Sequence, residues 1–173
     1  FRGCSKLQGR ITIPPSIQFV RQRCFEWCRM ITSVVFESST ATTTVLELEH
    51  GIFQDCYELR SVRLSNNLTV IPSHCFYSCR LLLDVPIPGT VRTIQRFAFE
   101  HCSALSAVDL PESVIAIDEK AYYGCSSLVR VTIWSSMNAV QVGRDVFEAC
   151  PSLATIRVVN PLVWSKLLSA MNT

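Results

Sequence analysis

The chain has 173 residues, 49% of them apolar, with a charged fraction of 17% and a formal net charge of +2. That composition can fill a continuous core, and no long single-sign run offers the basic footprint that nucleic-acid binding requires. No apolar run approaches the ~20 residues of a membrane-spanning helix.

The cysteines set the register. Cys4, Cys28, Cys56, Cys79, Cys102, Cys125 and Cys150 are spaced 24, 28, 23, 23, 23 and 25 apart. Each has an aromatic three places before it, from Phe1 and Phe25 to Tyr122 and Phe147, and Leu or Ile three places after it. A fixed period in the twenties marks a solenoid whose units cannot bury an apolar face alone.

In chain order, Phe1–Cys4 is the tail of a repeat whose strand is missing, so the array is expected to begin mid-repeat, with Phe1, Leu7, Ile11 and Ile13 on an open edge. Such an edge tends to pair with another chain, and self-association through this end is expected. The first full repeat, Gly3–Cys28, takes Ile11, Ile13, Ile17 and Val20 as its core. The second carries extra Ser and Thr residues over Glu37–Thr44, which predict an exposed loop, and its core spacing resumes at Val45, Leu48 and Phe53. In the later repeats a two-apart apolar pair follows the Leu: Val62 and Leu64, Val85 and Ile87, Val108 and Leu110, Val131 and Ile133, Ile156 and Val158. That alternation predicts a short strand with one buried face. After a Pro, Ser or Asn turn, spacing such as Ile94, Ala98, Phe99 and Cys102 predicts one or two turns of helix, or a 3₁₀ segment, on the opposite wall. The sixth repeat has two further residues near Ser135–Ala139. After residue 159, Asn160-Pro161 reads as an N-cap with Pro at the first helical position, and Trp164, Leu167, Leu168 and Met171 share one face. Residues 160–173 are therefore expected to form a C-terminal capping helix, and residues 1–159 the array.

The pattern Leu-x-x-Val-x-Ile-Pro-x-x-Val-x-x-Ile-x-x-x-Ala-Phe-x-x-Cys, seen best around Leu82–Cys102, resembles the BspA-like class of leucine-rich repeat from Phe1 to about Val159. The resemblance implies an α/β leucine-rich-repeat solenoid of about seven coils, with parallel strands on the concave face and short helices on the convex face. It also implies a non-catalytic role in binding another macromolecule, and a cell-surface or secreted location. Reduced cysteines are equally compatible with an intracellular one.

Nine cysteines invite disulfide or zinc chemistry. Seven occupy the repeat column, and Cys24 and Cys75 take the small-residue slot that Ala98 and Ala121 fill elsewhere. Cys24 and Cys75 lie two repeats apart, roughly 10 Å, beyond disulfide reach. Free buried thiols are the expectation. The i, i+4 pairs Cys24/Cys28 and Cys75/Cys79 do not converge into four ligands, and there is no CxxC, so no metal and no cofactor is expected. His50, His74 and His101 fall at different register positions, and no G-x-S-x-G or phosphate-binding glycine loop is present, so no enzymatic activity is expected. Asn67-Leu68-Thr69 is a glycosylation sequon in a turn.

The expected binding surface is the concave face, with a protein partner. Its outward residues flank the buried pairs and are mostly small or polar. Trp134 departs from this by replacing a column of Pro, Ser and Glu, on the same side as Arg130 and Arg157. Trp and Arg are the types most enriched in binding hot spots. The candidate site is therefore Trp134, Arg130, Arg157 and Thr132, with Asp109 as an acidic border and Arg63 further along the face. A structural subunit of a larger assembly, held by its edges and convex face, is the alternative.

Overall fold

The structure is a computed structural model, described here for residues 1–37, 45–134 and 140–159. The expected Ser/Thr loop at 38–44, the insertion at 135–139 and the capping helix at 160–173 lie outside the described residues.

Each turn of the chain supplies a longer strand and then a short one. In order they are β1 (Gln8–Ile13) and β2 (Phe19–Val20), β3 (Met30–Phe36) and β4 (Glu47–Leu48), β5 (Ser61–Arg63) and β6 (Val70–Ile71). Then β7 (Thr93–Ile94) stands alone, followed by β8 (Ala107–Leu110) and β9 (Ala116–Ile117), β10 (Arg130–Ile133) and β11 (Gln141–Val142), and β12 (Thr155–Val158). All pairings are parallel, and each joins residues one repeat apart. The result is a solenoid with a long-strand wall, a short-strand wall and a wall of turns. Six complete turns lie between Cys4 and Cys150, matching six family-type repeats rather than the seven coils expected.

The long-strand wall is split. One sheet runs β1-β3-β5 and another β8-β10-β12, separated by the turn containing Asp84, which forms a single bridge to Ser61 of β5. The N–H nine places after the cysteine donates to the preceding turn at Glu37, to Ile13 O at 3.0 Å, at Trp134, to Leu110 O at 3.0 Å, and at Val159, to Ile133 O at 3.1 Å. The two-residue alternation of a strand places another donor seven places after the cysteine. In the split turn both of these positions are proline, Pro86 and Pro88. Neither has an N–H, so the ladder stops there.

The third wall corrects the expectation of short helices: no helix occurs among the described residues. Positive φ recurs five and one places before the column cysteine, at Arg23 and Trp27, Gly51 and Asp55, His74 and Ser78, Phe97 and His101, Lys120 and Gly124, Asp145 and Ala149. Two left-handed residues per repeat break any helix. Their effect shows in the hydrogen bonds. In the fourth turn Ala98, Glu100 and Cys102 donate back three residues, to Gln95, Phe97 and Phe99, while Phe97, Phe99 and His101 donate across to Glu119, Ala121 and Tyr123 of the next turn. Alternate N–H groups thus bond within a turn and between turns, satisfying a wall that has neither helix nor strand.

The core is one column of buried residues running through all turns. The aromatics stack nearly parallel, with centroids 5.6 Å apart for Phe1–Phe25, 5.1 Å for Phe76–Phe99 and 4.9 Å for Phe99–Tyr122. Two core assignments differ from expectation. Val45 is exposed and Leu46 is buried in its place, because Leu46 is the residue that bridges Leu68 in the next turn. Ile17 is exposed, since it lies in the first turn with no described neighbour on its outer side.

Candidate functional site

The expected site residues lie on the long-strand wall around β10. Val131 and Ile133 point into the core and are fully buried, so Arg130, Thr132 and Trp134 alternate to the outer face. Trp134, just after β10, is 43% exposed, and the guanidinium carbon of Arg157 lies 5.7 Å from its ring centroid. This cation–π contact crosses from β12 to β10 and holds the indole without covering it. Arg130 reaches the other way, to β8, where its Nη2 is 3.6 Å from Asp109 Oδ2. Both partners are more than half exposed, so this pair orients the side chains more than it stabilises the fold.

Thr132 is brought into the same patch but is buried, with Asp109 and Arg157 as its register neighbours on either side. It has little surface to offer a partner. Arg63 is not brought to the patch: it sits on β5, with the Pro86 turn between it and Asp109. Beside the patch the sheet break forms a depression lined by Leu83, Asp84, Pro86, Ile87, Asp109 and Arg130. Sequence reasoning missed this depression. Its signal was the Pro86/Pro88 pair, whose lost donors matter only once the ladder register is known.

The cysteines have a role that spacing alone did not reveal. From Cys28 onward each column thiol donates to the backbone carbonyl of the aromatic residue in the preceding turn, as with Cys56 to Phe25 at 3.0 Å, Cys79 to Phe53 at 3.1 Å, Cys102 to Phe76 at 3.2 Å and Cys125 to Phe99 at 3.2 Å. All nine cysteines are free thiols, six of them buried. Burial pushes the thiols of Cys56, Cys75, Cys79 and Cys102 well above their ordinary range, which disfavours the reactive thiolate. Among the described residues no cluster of three His, Cys, Asp or Glu side chains could hold a metal ion. No described helix is long and apolar enough to cross a membrane.

A family model described as the BspA type leucine rich repeat region matches the chain in six copies, over residues 1–81 and 46–163. No curated protein sequence matches it. Among solved structures, a leucine-rich-repeat protein of T. pallidum is 30% identical with a TM-score of 0.64, covering 72% of this chain and 57% of its own. A leucine-rich cell surface protein of Faecalibacterium prausnitzii is 26% identical with a TM-score of 0.61, covering 88% of this chain and 48% of its own. A leucine-rich-repeat protein of Bacteroides ovatus, 20% identical with a TM-score of 0.59, covers 92% and 57% and shares the fold. The chain spans about half the length of these solved relatives.

Proposed function

We propose, from the premise that the chain belongs to the BspA-type leucine-rich-repeat family, that it is a non-catalytic module binding a protein partner through the patch around Trp134. The observation that carries this is the half-exposed indole of Trp134, backed by Arg157 on one side and flanked by the Arg130–Asp109 pair on the other. An aromatic anchor with guanidinium groups in reach of carboxylates fits a partner surface that is apolar at its centre and acidic at its rim. The F. prausnitzii relative is described as a cell surface protein, and an outward-facing location suits a recognition module. The non-catalytic reading rests on the thiols being committed to carbonyl partners in the core rather than set beside a base.

The test is capture of a partner from source extract by wild type and by Trp134→Ala combined with Arg157→Glu, with equal folding shown by circular dichroism. Loss of one specific protein in the double variant is the expected result. Unchanged capture of every protein would place the contact elsewhere.

A second reading, a structural subunit of a larger assembly held by its edges and convex face, is favoured by one observation. Phe1, Ile17 and Phe19 are exposed together beside the unpaired edge of β1, around an apolar depression that also includes Leu7 and Ile11. Light scattering separates the two: Phe19→Lys should reduce association under this reading and leave partner capture at Trp134 untouched under the first.

A further inference from the structure

The wall of turns carries a feature independent of the Trp134 patch. A depression of about 580 Å³ crosses four successive turns, and each contributes one side chain able to carry positive charge: Arg23, His50, His74 and Arg96. Its size falls in the ordinary range of small-ligand sites. These residues are scattered over two register positions in a chain whose net charge is only +2, so stacking of the turns brings them together.

These basic side chains have few acidic partners. Among the described residues Arg96, His50 and His74 have no carboxylate within ion-pair distance, and the nearest acid to Arg23 is Glu26, at 4.0 Å. Glu26 is buried and also contacts Arg2. The acid inside the depression is Glu100, which is 3.7 Å from His101 Nε2 on the adjoining surface. Burial raises the pKa of Glu100, and Asp118, which also feels Arg96, is raised by burial too. The protonated form of His74 is disfavoured first by burial and then by the neighbouring Arg96, His50 and Arg23.

The walls are preorganised. Gly51 has a φ of +66°, and a Cβ there would stand 3.1 Å from Arg23 Cγ; the absence of that atom lets Arg23 lie flat along the wall. The His74 ring is held between Phe97 at 4.9 Å and Tyr77 at 5.7 Å. Ser73 and Gln54 add neutral hydrogen-bonding groups to the lining.

We propose that this depression is an oxyanion-binding site that takes the sulfate or phosphate ester of a saccharide, with Arg96 on the ester oxygens and Arg23 at the opposite end of the depression. The guanidinium geometry suits such an anion. The half-buried edges of Tyr77 and Phe97 left beside His74 offer apolar contact to a sugar ring, and Ser73 and Gln54 bond its hydroxyls. A nucleic acid would need phosphate contacts continuing beyond the depression, and the low net charge does not provide them. A bound ester places negative charge beside His74 and so favours its protonated form. Binding therefore takes up a proton, and affinity rises as pH falls through the histidine range.

The experiment is titration calorimetry at low salt, at pH 7.5 and 6.0, on the whole chain. The probes are a sulfated heparin tetrasaccharide, a phosphorylated mannose disaccharide, the desulfated tetrasaccharide, inorganic sulfate and a phosphoserine peptide. Binding of one or both esterified sugars is expected, and which of them binds identifies the ester. Arg96→Ala should weaken it about tenfold or more, the loss of one charge-assisted contact. Arg144→Ala, in the same register column two turns away, should change nothing. His74→Gln should remove the tightening at pH 6.0. Arg96 is exposed, so Arg96→Ala should fold as wild type; Arg96→Gln provides a second variant. No binding of either esterified sugar, equal binding of the desulfated sugar, or unchanged affinity in both Arg96 variants would overturn the proposal. Inorganic sulfate binding as tightly as the sugars, or binding of the phosphopeptide alone, would overturn its saccharide part.

Discussion

The thiol of Cys102 lies 3.2 Å from the backbone carbonyl oxygen of Phe76, the aromatic residue of the preceding turn. The same carbonyl accepts the N–H of Cys79 at 3.0 Å. From Cys28 onward each column cysteine thus links two turns through one carbonyl oxygen, which explains why a residue with a small apolar body and a weak donor occupies the column.

Removing that donor should be felt. Cys102→Ala is expected to cost about 1–2 kcal/mol, from the lost hydrogen bond and a small cavity. Cys102→Asp places a carboxylate against the Phe76 carbonyl in a site with no cation and should cost several kcal/mol or abolish folding. Urea denaturation measures both. An Asp variant as stable as the Ala variant would mean that the column is not a closed core.

Thiol reactivity should follow burial. Native-state alkylation read by mass spectrometry should label Cys4, Cys24 and Cys150 first, the three that are only partly buried. Contact with the Cys125 thiol also lowers the pKa of Cys150, favouring its thiolate. Cys56, Cys75, Cys79, Cys102 and Cys125 should stay unlabelled until the chain unfolds. Rapid labelling of those five, or bridged peptides in a non-reducing map, contradicts this.

Tyr122 is the one tyrosine in a stack otherwise made of phenylalanine, and its buried hydroxyl has no hydrogen-bond partner among the described residues. Tyr122→Phe keeps the ring and removes the unsatisfied group. It should raise stability by about 1 kcal/mol, a melting shift of about 2–4 °C for a chain of this size. A lower melting temperature would show that the hydroxyl has a partner after all.

The break in the long-strand wall should be repairable. Pro86→Ser restores an N–H at the position in register with Arg63 of the preceding turn, two places beyond the Ser61–Asp84 bridge. Hydrogen exchange followed by NMR should find that new amide protected. Exchange at the rate of an exposed loop would mean that the gap has a cause other than the missing donor.

How far the sequence carried can be judged residue by residue. The Cys, Phe and Leu columns were legible because every turn must present the same atoms to the same neighbours, so the period appears directly in the text. The strand pairs Val108/Leu110 and Val131/Ile133 followed from simple alternation and are buried as expected. The helical expectation for the third wall failed because the buried set Ile94, Ala98, Phe99 and Cys102 has the same spacing in a helix as in this chain of turns. What distinguishes them is the partner of each N–H, and Phe97 N–H bonds to Glu119, 22 residues away, rather than to its own turn. Trp134 and Arg157 could be assigned to one face by register, but only folding set the guanidinium beside the indole, buried Thr132 between its neighbours and kept Arg63 apart behind the Pro86 turn. The group of Arg23, His50, His74 and Arg96 was not legible at all. The sequence by itself determined the period, the core columns and the family resemblance, because one-dimensional repetition encodes contacts between identical positions. Tertiary structure decided the course of the turn wall and the makeup of both surface sites, because those depend on unlike positions in different turns being brought within a few ångströms.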